Sequence, residues 1–249
     1  MLPRGLSVLR LQSVESTQDF AVKLVRGGQR QFDAVRADAQ TSGRGRWGAD
    51  WFSGEGNLAV SYILWDAPVG GQLGTVGLAA ACALAEVIEH AVGAGCPVRL
   101  RWPNDVLVEN AKVAGVLVEV VADPDGYPVV VLGIGLNVNT KEFPAVLADS
   151  ACSLRQLCGK ERDVGEIEVA FWEAFRAREP WEATRTVSEF RARDDSIGRQ
   201  VRSPDGRVGV ATGITDLGYL RVCWLDGSKQ DLPSSLVTLR AEGGPWADG

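Results

Sequence analysis

The chain is poor in the side chains that most hydrolases and metalloenzymes depend on. It has one histidine, His90, and its five cysteines (Cys82, Cys96, Cys152, Cys158 and Cys223) include no Cys-x-x-Cys pair. A histidine-based triad needs a base beside its nucleophile, and a structural zinc site needs four clustered ligands, so both classes lose support. His90 falls late in a helical stretch and reads as a surface or helix-end residue. An odd number of scattered cysteines reads as buried thiols in a reducing cytoplasm. Long apolar runs are lacking too. The most apolar helix candidate, Val76 to Ile88, is interrupted by Glu86 and is shorter than the ~20 residues of a membrane crossing. The segment Met1 to Leu11 mixes Arg4 and Arg10 with too short an apolar run for a secretory signal. Positive charge is in deficit, with a net charge of −6. General nucleic-acid binding is therefore not expected, and any cationic chemistry must be local.

What is present suffices for a substantial core. Hydrophobic residues make up 45% of 249 positions, enough for one large domain and a small one. Ser7 to Leu11 reads as a strand. Ser16 can cap a helix, with Asp19 at the capping-box spacing and Phe20, Ala21, Leu24 and Val25 on one face; Gly27-Gly28 ends it. Ala34 to Ala37 and Leu58 to Leu64 read as strands on either side of an irregular loop, residues 40–56. Gln72 to Val92 reads as a long, mostly buried helix. Strands follow at Val98 to Trp102, Val106 to Val108, Val113 to Val121 and Val129 to Gly135, with turns at Asn110-Ala111 and Asp125-Gly126. The expected architecture is α+β, a mixed β-sheet with helices packed on it. Helices are expected from near Gly165 and from about Ala183 to Arg193. After Asp194-Asp195 the pattern changes to short strands and turns, which reads as a small barrel. The expected division is 1–195 for the main domain, 196–241 for the barrel and 242–249 for a flexible tail. No internal repeat is evident.

Four short motifs stand out, in order: Ser16-Thr17; Gly43-Arg44-Gly45-Arg46-Trp47-Gly48; Trp102-Pro103-Asn104-Asp105 with Lys112 beyond; and Gly133-Ile134-Gly135-Leu136-Asn137. Each has a plain reading by itself: a helix cap, an exposed loop, a Pro-Asn-Asp turn, a packing constraint. Trp51 reads equally well as core. The spacing Gly43-x-Gly45-x-x-Gly48 formally matches a dinucleotide fingerprint, but the flanks Gln40-Thr41-Ser42 and Ala49-Asp50-Trp51 are not a strand and a helix. A phosphate-loop Gly-Lys-Ser/Thr is absent. What remains is a glycine loop carrying two guanidiniums, suited to carboxylate or phosphate.

Read together, residues 7–140 resemble the catalytic, class II synthetase-like domain of biotin-protein ligases, the holocarboxylase synthetase family. Residues 196–240 are similar to that family's SH3-like C-terminal barrel. The resemblance implies two steps on ATP, Mg²⁺ and biotin: formation of biotinyl-5′-adenylate, then transfer of biotin to a lysine of a biotin carboxyl carrier domain. It implies Lys112, Arg46 and Asp105 as catalytic groups, with Arg44 and Arg46 as further cations. For biotin it implies Ser16, Thr17, Gln40, Gly43, Arg44, Gly45, Arg46, Lys112, Gly115, Gly133 and Gly135. For the nucleotide it implies Arg46, Trp51, Asn104, Asp105, Lys112 and Asn137, with Asn139 beside it, and no dedicated metal ligand. Three positions depart from the family's habit: Gln18 where Asn is frequent, Arg101 where Lys is frequent, and Trp47 where a base is frequent. Gln18 is accordingly left unassigned, and Arg101 is at most a phosphate contact. Some members carry an N-terminal repressor domain; since Ser16 already belongs to the catalytic domain, a ligase without DNA binding is expected. A cytoplasmic monomer or weak homodimer is expected, with no membrane partner. Competing readings are a lipoate ligase or octanoyl transferase, a biotin-binding sensor or adaptor, and a dinucleotide oxidoreductase.

Overall fold

In a computed structural model the described residues are 5–67, 73–93, 95–178, 182–203, 205–233 and 238–239. The expected tail at 242–249 and the expected element ends Gln72 and Val237 lie outside them. Seven strands form the main sheet: β1 (Val8–Val14), β2 (Ala34–Gln40), β3 (Leu58–Leu64), β4 (Val98–Arg101), β5 (Asp105–Val108), β6 (Ala111–Ala122) and β7 (Pro128–Leu136). Their order is β1-β2-β3-β7-β6-β5-β4. The first two are parallel and all other neighbours antiparallel, which is the mixed sheet expected from the sequence.

The two faces of this sheet differ, because side chains alternate along each strand. Ala34, Val60, Tyr62, Leu132 and Ile134 point into the main core, under helix α2 (Leu73–Val92) and helices α4 (Val164–Arg176) and α5 (Ala183–Arg191). A short α3 (Leu154–Cys158) packs against α2. The stretch Gly74–Val92 is long and apolar enough by composition to cross a membrane, longer than the 76–88 run suggests. It is mostly buried here, in the place of a core helix. The opposite face is covered only in part, by helix α1 (Thr17–Arg26), whose Ala21, Leu24 and Val25 pack on Val35, Ile63, Val129 and Val131. Parallel strands need a crossover, and α1 is that crossover between β1 and β2. It begins where β1 ends, so Ser16 and Thr17 stand at the carboxyl ends of two strands. Ser16 caps the helix by accepting from Asp19 N–H at 3.2 Å, as its spacing predicts.

The second sheet has five strands in the order β11-β10-β9-β8-β12. They are β8 (Gln200–Arg202), β9 (Val208–Ile214), β10 (Leu220–Trp224), β11 (Lys229–Leu232) and β12 (Thr238–Leu239). Neighbours are antiparallel throughout, consistent with the SH3-like barrel. Its core residues Val201, Ile214, Leu220 and Trp224 belong to the same buried cluster as α2 and the main sheet. The junction is tied by backbone: Leu100 N–H donates to Arg193 O at 2.9 Å, and Asp195 N–H to Leu100 O at 2.8 Å.

Candidate active site

The uncovered part of the α1 face carries a stripe with almost no side chains. Gly115 on β6 pairs with Gly135 on β7, and Gly133 lies two residues along the same strand. A Cβ on Gly135 would lie 2.4 Å from Trp51 Cε2, and one on Gly133 would lie 2.5 Å from Gln18 Oε1. The glycines therefore let other groups lie directly on the sheet, which is the close approach that glycine in a strand marks. The cleft above them has a volume of about 220 Å³. That is below the ~300–1,000 Å³ of most small-molecule sites, and the Trp51 indole lies on its floor against Gly115 and Gly135.

One wall is the segment 40–56. It is not structureless, as its composition suggests, but folds into a tight hairpin over the sheet. Trp51 N–H donates to Gly43 O at 2.7 Å and Gly45 N–H to Ala49 O at 2.6 Å. A 3-10 turn at Arg46–Gly48 forms the tip, with Trp47 held at φ 58°. Gly43 sits just behind the wall, where a Cβ would strike Trp51 O at 2.6 Å. Arg44 is not available as a cation for an incoming anion. Its Nε donates to Asp19 at 2.6 Å and its Nη2 to Glu119 at 2.7 Å. Burial lowers its pKa, but the hydrogen bonds to Glu119 and Asp19 outweigh this and hold it above its ordinary value. Arg44 thus anchors the hairpin to α1 and β6.

The facing wall holds the charges. Lys112 Nζ lies 2.7 Å from Asp105 and 5.3 Å from the centre of the Trp51 ring. Arg46 also faces Asp105; burial lowers its pKa and the Asp105 charge partly restores it. Lys112 owes its position to a β-bulge. Val106 pairs with Ala114 but Leu107 pairs with Lys112, so Val113 is extra. Side chains alternate, so in a regular strand Lys112, two residues from Ala114, would share the core face with it. With the extra residue, Lys112 joins Asp105 and Gly115 on the cleft face. Asn104 stands beside them after the cis peptide Trp102-Pro103, and its Nδ2 donates to Val116 O at 3.1 Å. Trp102 is buried, with its indole N–H donating to Gly218 O at 2.9 Å, so this segment is braced against the barrel.

At the far end lies a polar network. Thr17 N–H donates to Gln40 Oε1 at 2.8 Å, and Thr17 Oγ1 lies 3.0 Å from Ser61 Oγ. Ser61 Oγ donates to Gln18 Oε1 at 2.9 Å, and Gln18 Nε2 to Glu119 at 2.8 Å. Gln18, Ser61 and Glu119 were not assigned from sequence. A serine inside the apolar run Leu58 to Leu64 and a lone charge inside Val113 to Val121 were the available signals.

Of the residues singled out in the sequence, Ser16, Thr17, Gln40, Arg44, Gly45, Arg46, Trp51, Asn104, Asp105, Lys112, Gly115, Gly133 and Gly135 line this one cleft. Asn137 does not. It is buried, and its Nδ2 donates to Cys152 O at 3.1 Å and Lys112 O at 3.5 Å. Asn139 is likewise turned away, exchanging hydrogen bonds with the backbone of Arg162. Arg101 lines the cleft but is already paired with Asp195 at 2.9 Å.

Residues 11–139 match the profile of the Biotin/lipoate A/B protein ligase family. The chain is 34% identical over 237 residues to the bifunctional ligase/repressor BirA of Bacillus spizizenii, covering 91% of this chain and 72% of that one. It is 32% identical over 220 residues to a biotin–[acetyl-CoA-carboxylase] ligase of Mycobacterium tuberculosis, covering 84% and 80%. Among solved structures it is similar to the biotin protein ligase of Aquifex aeolicus in complex with biotin and ATP, with a TM-score of 0.76, 26% identity, and coverage of 94% of this chain and 99% of that one. On sequence and architecture together, the chain belongs to the Biotin/lipoate A/B protein ligase family.

Proposed function

We propose that this protein is an ATP-dependent biotin-protein ligase, and that the cleft above the glycine stripe is its single active site. The observation that carries the reading is the division of the cleft into two ends. One end is a network of hydroxyl and amide groups suited to the ureido ring of biotin. The other is a pair of cations, Lys112 and Arg46, set about Asp105. A ureido ring offers two N–H donors and a carbonyl acceptor, which Ser16, Thr17 and Gln40 can match. The glycine stripe, on which the Trp51 indole now rests, takes the apolar body and valeryl chain once that indole lifts to cover them.

The carboxylate of biotin is ionised at neutral pH, so its attack on the α-phosphorus of ATP needs no base. It needs two anions brought together and aligned. Lys112 is placed to bridge the carboxylate and the α-phosphate, exchanging Asp105 for them. Its ion pair with Asp105 is partly exposed, and such pairs contribute little, so the exchange is not costly. The P–O bond to pyrophosphate breaks and biotinyl-5′-adenylate forms, covered by Arg46 and Trp51. In the second step the amine of an acceptor lysine on a biotin carboxyl carrier domain attacks the acyl carbon, and AMP leaves. That lysine must lose a proton, and Asp105, freed from Lys112, is placed to accept or orient it. Magnesium fits as an ion carried by the nucleotide phosphates. Among the described residues no cluster of three or more His, Cys, Asp or Glu could hold a metal by itself, and the ion would supply charge neutralisation to the leaving pyrophosphate.

Pyrophosphate release from the purified protein with MgATP, compared among biotin, lipoate and octanoate, tests the reading. Release with biotin alone is expected. Release with lipoate or octanoate instead would move the chain to the sister branch of the family.

A further inference from the structure

The polar network at the ureido end has a fixed direction, set chiefly by Glu119 with the Val131 carbonyl beside it. Gln18 Nε2 faces two acceptors, Glu119 Oε2 at 2.8 Å and Val131 O at 3.3 Å. A carboxylate and a carbonyl cannot donate. The Gln18 amide is therefore forced to turn its nitrogen to them and its oxygen to Ser61. Ser61 has one hydrogen and gives it to Gln18 Oε1 at 2.9 Å. It then has none for Thr17 Oγ1, 3.0 Å away. The one hydroxyl hydrogen of Thr17 has two acceptors within the network, Ser61 Oγ and Gln40 Oε1. The lone pairs of Thr17 Oγ1 are left to the cleft. Were Gln18 reversed, its nitrogen would donate to Ser61, Ser61 would donate to Thr17, and that acceptor capacity would be filled.

Resting on the reading of the cleft as a biotin site, we propose that Glu119 is a specificity-determining positioning residue: acting through Gln18 and Ser61, it makes Thr17 an acceptor and so selects ligands that present a ring N–H. It touches no substrate. Its Oε2 also holds Arg44 at 2.7 Å, so the same atom joins the selecting network to the hairpin.

The test uses calorimetric binding of biotin, of a biotin analogue methylated at the ureido nitrogen, and of ATP. Gln18→Met breaks the relay, and Glu119→Met loosens it, leaving only the longer contact of Gln18 Nε2 to Val131 O. Each is expected to weaken biotin by about 10- to 100-fold, the range for a mispaired buried polar group. The preference for biotin over the methylated analogue should shrink in both, and in Gln18→Met, which leaves Arg44 paired with Asp19 and Glu119, ATP binding should stay as in wild type. Glu119→Gln keeps an acceptor oxygen and should retain most of the affinity. Wild-type affinity in Glu119→Met would overturn the proposal. So would equal weakening of biotin and its methylated analogue, which marks a merely structural role. Loss in Glu119→Met without loss in Gln18→Met would also overturn it, since the effect would then run through Arg44. A wild-type protein that binds no biotin would overturn the functional reading and this inference with it.

Discussion

Lys112 and Arg44 are both cations of the cleft, yet the structure gives them different work. Lys112 stands between Asp105 and the glycine stripe, whereas Arg44 is held by two carboxylates. Lys112→Ala should therefore lower biotin-dependent pyrophosphate release by about 10²–10³-fold, the usual cost of removing one preorganised charge. Biotin binding measured calorimetrically should change far less. Unchanged pyrophosphate release would remove Lys112 from the mechanism. Gly135→Ala should act by crowding. A methyl group 2.4 Å from the Trp51 ring must displace the indole, so binding of biotin and of the nucleotide should both fall, as calorimetry would read. Most of these residues were legible in the sequence as motifs. Their partners were not: a motif shows which groups recur, not that Arg44 is already paired or that Asn137 faces backbone carbonyls.

At the scale of elements, the helix ends and the strands of the main sheet were legible because Ser16, Gly27-Gly28 and the alternating valines act locally. The hairpin at 40–56 was not. Its order comes from Gly43 O, Ala49 O and the Asp19 and Glu119 carboxylates, and the last two reach it from α1 and β6. The hairpin contains two trypsin sites, after Arg44 and Arg46. Cleavage there should slow markedly when biotin and MgATP are both present, as read by mass spectrometry of the fragments; equal rates would argue that the hairpin does not close on the ligands. Helix α4 gives a pH test. Its cap Asp163 accepts from Gly165 and Glu166 N–H groups, and the bonds to Glu166 and then Gly165 hold its pKa below the ordinary carboxylate value. A depressed carboxylate contributes stability that is present above its unfolded pKa, near 4, and is lost as pH falls through the folded one. Asp163→Asn should therefore flatten the acid limb of the melting temperature below about pH 4 and change it little at pH 7. A parallel acid limb in that variant would show that the cap does not contribute.

For the whole molecule, composition pointed to two units, but their cores are one cluster. A single cooperative unfolding transition is expected, rather than separate melting of the barrel, and calorimetry would tell the two apart. Trp102→Phe removes the indole donor from Gly218 O and should cost ~1–3 kcal/mol with loss of affinity for ATP, since Asn104 and Asp105 follow directly. An unaltered melting temperature would mean the barrel is not braced there. The bulge at Val113 carries a consequence for variation in length. Deleting Val113 would leave a regular ladder with Lys112 still on the cleft side, whereas one further residue between Lys112 and Gly115 would turn the ammonium into the apolar interior and set a neighbour beside Asp105. The stretch from Lys112 to Gly115 thus tolerates loss of its extra residue better than gain of another. Two chains of this kind could share every signature residue and still differ completely in competence by one position of phase.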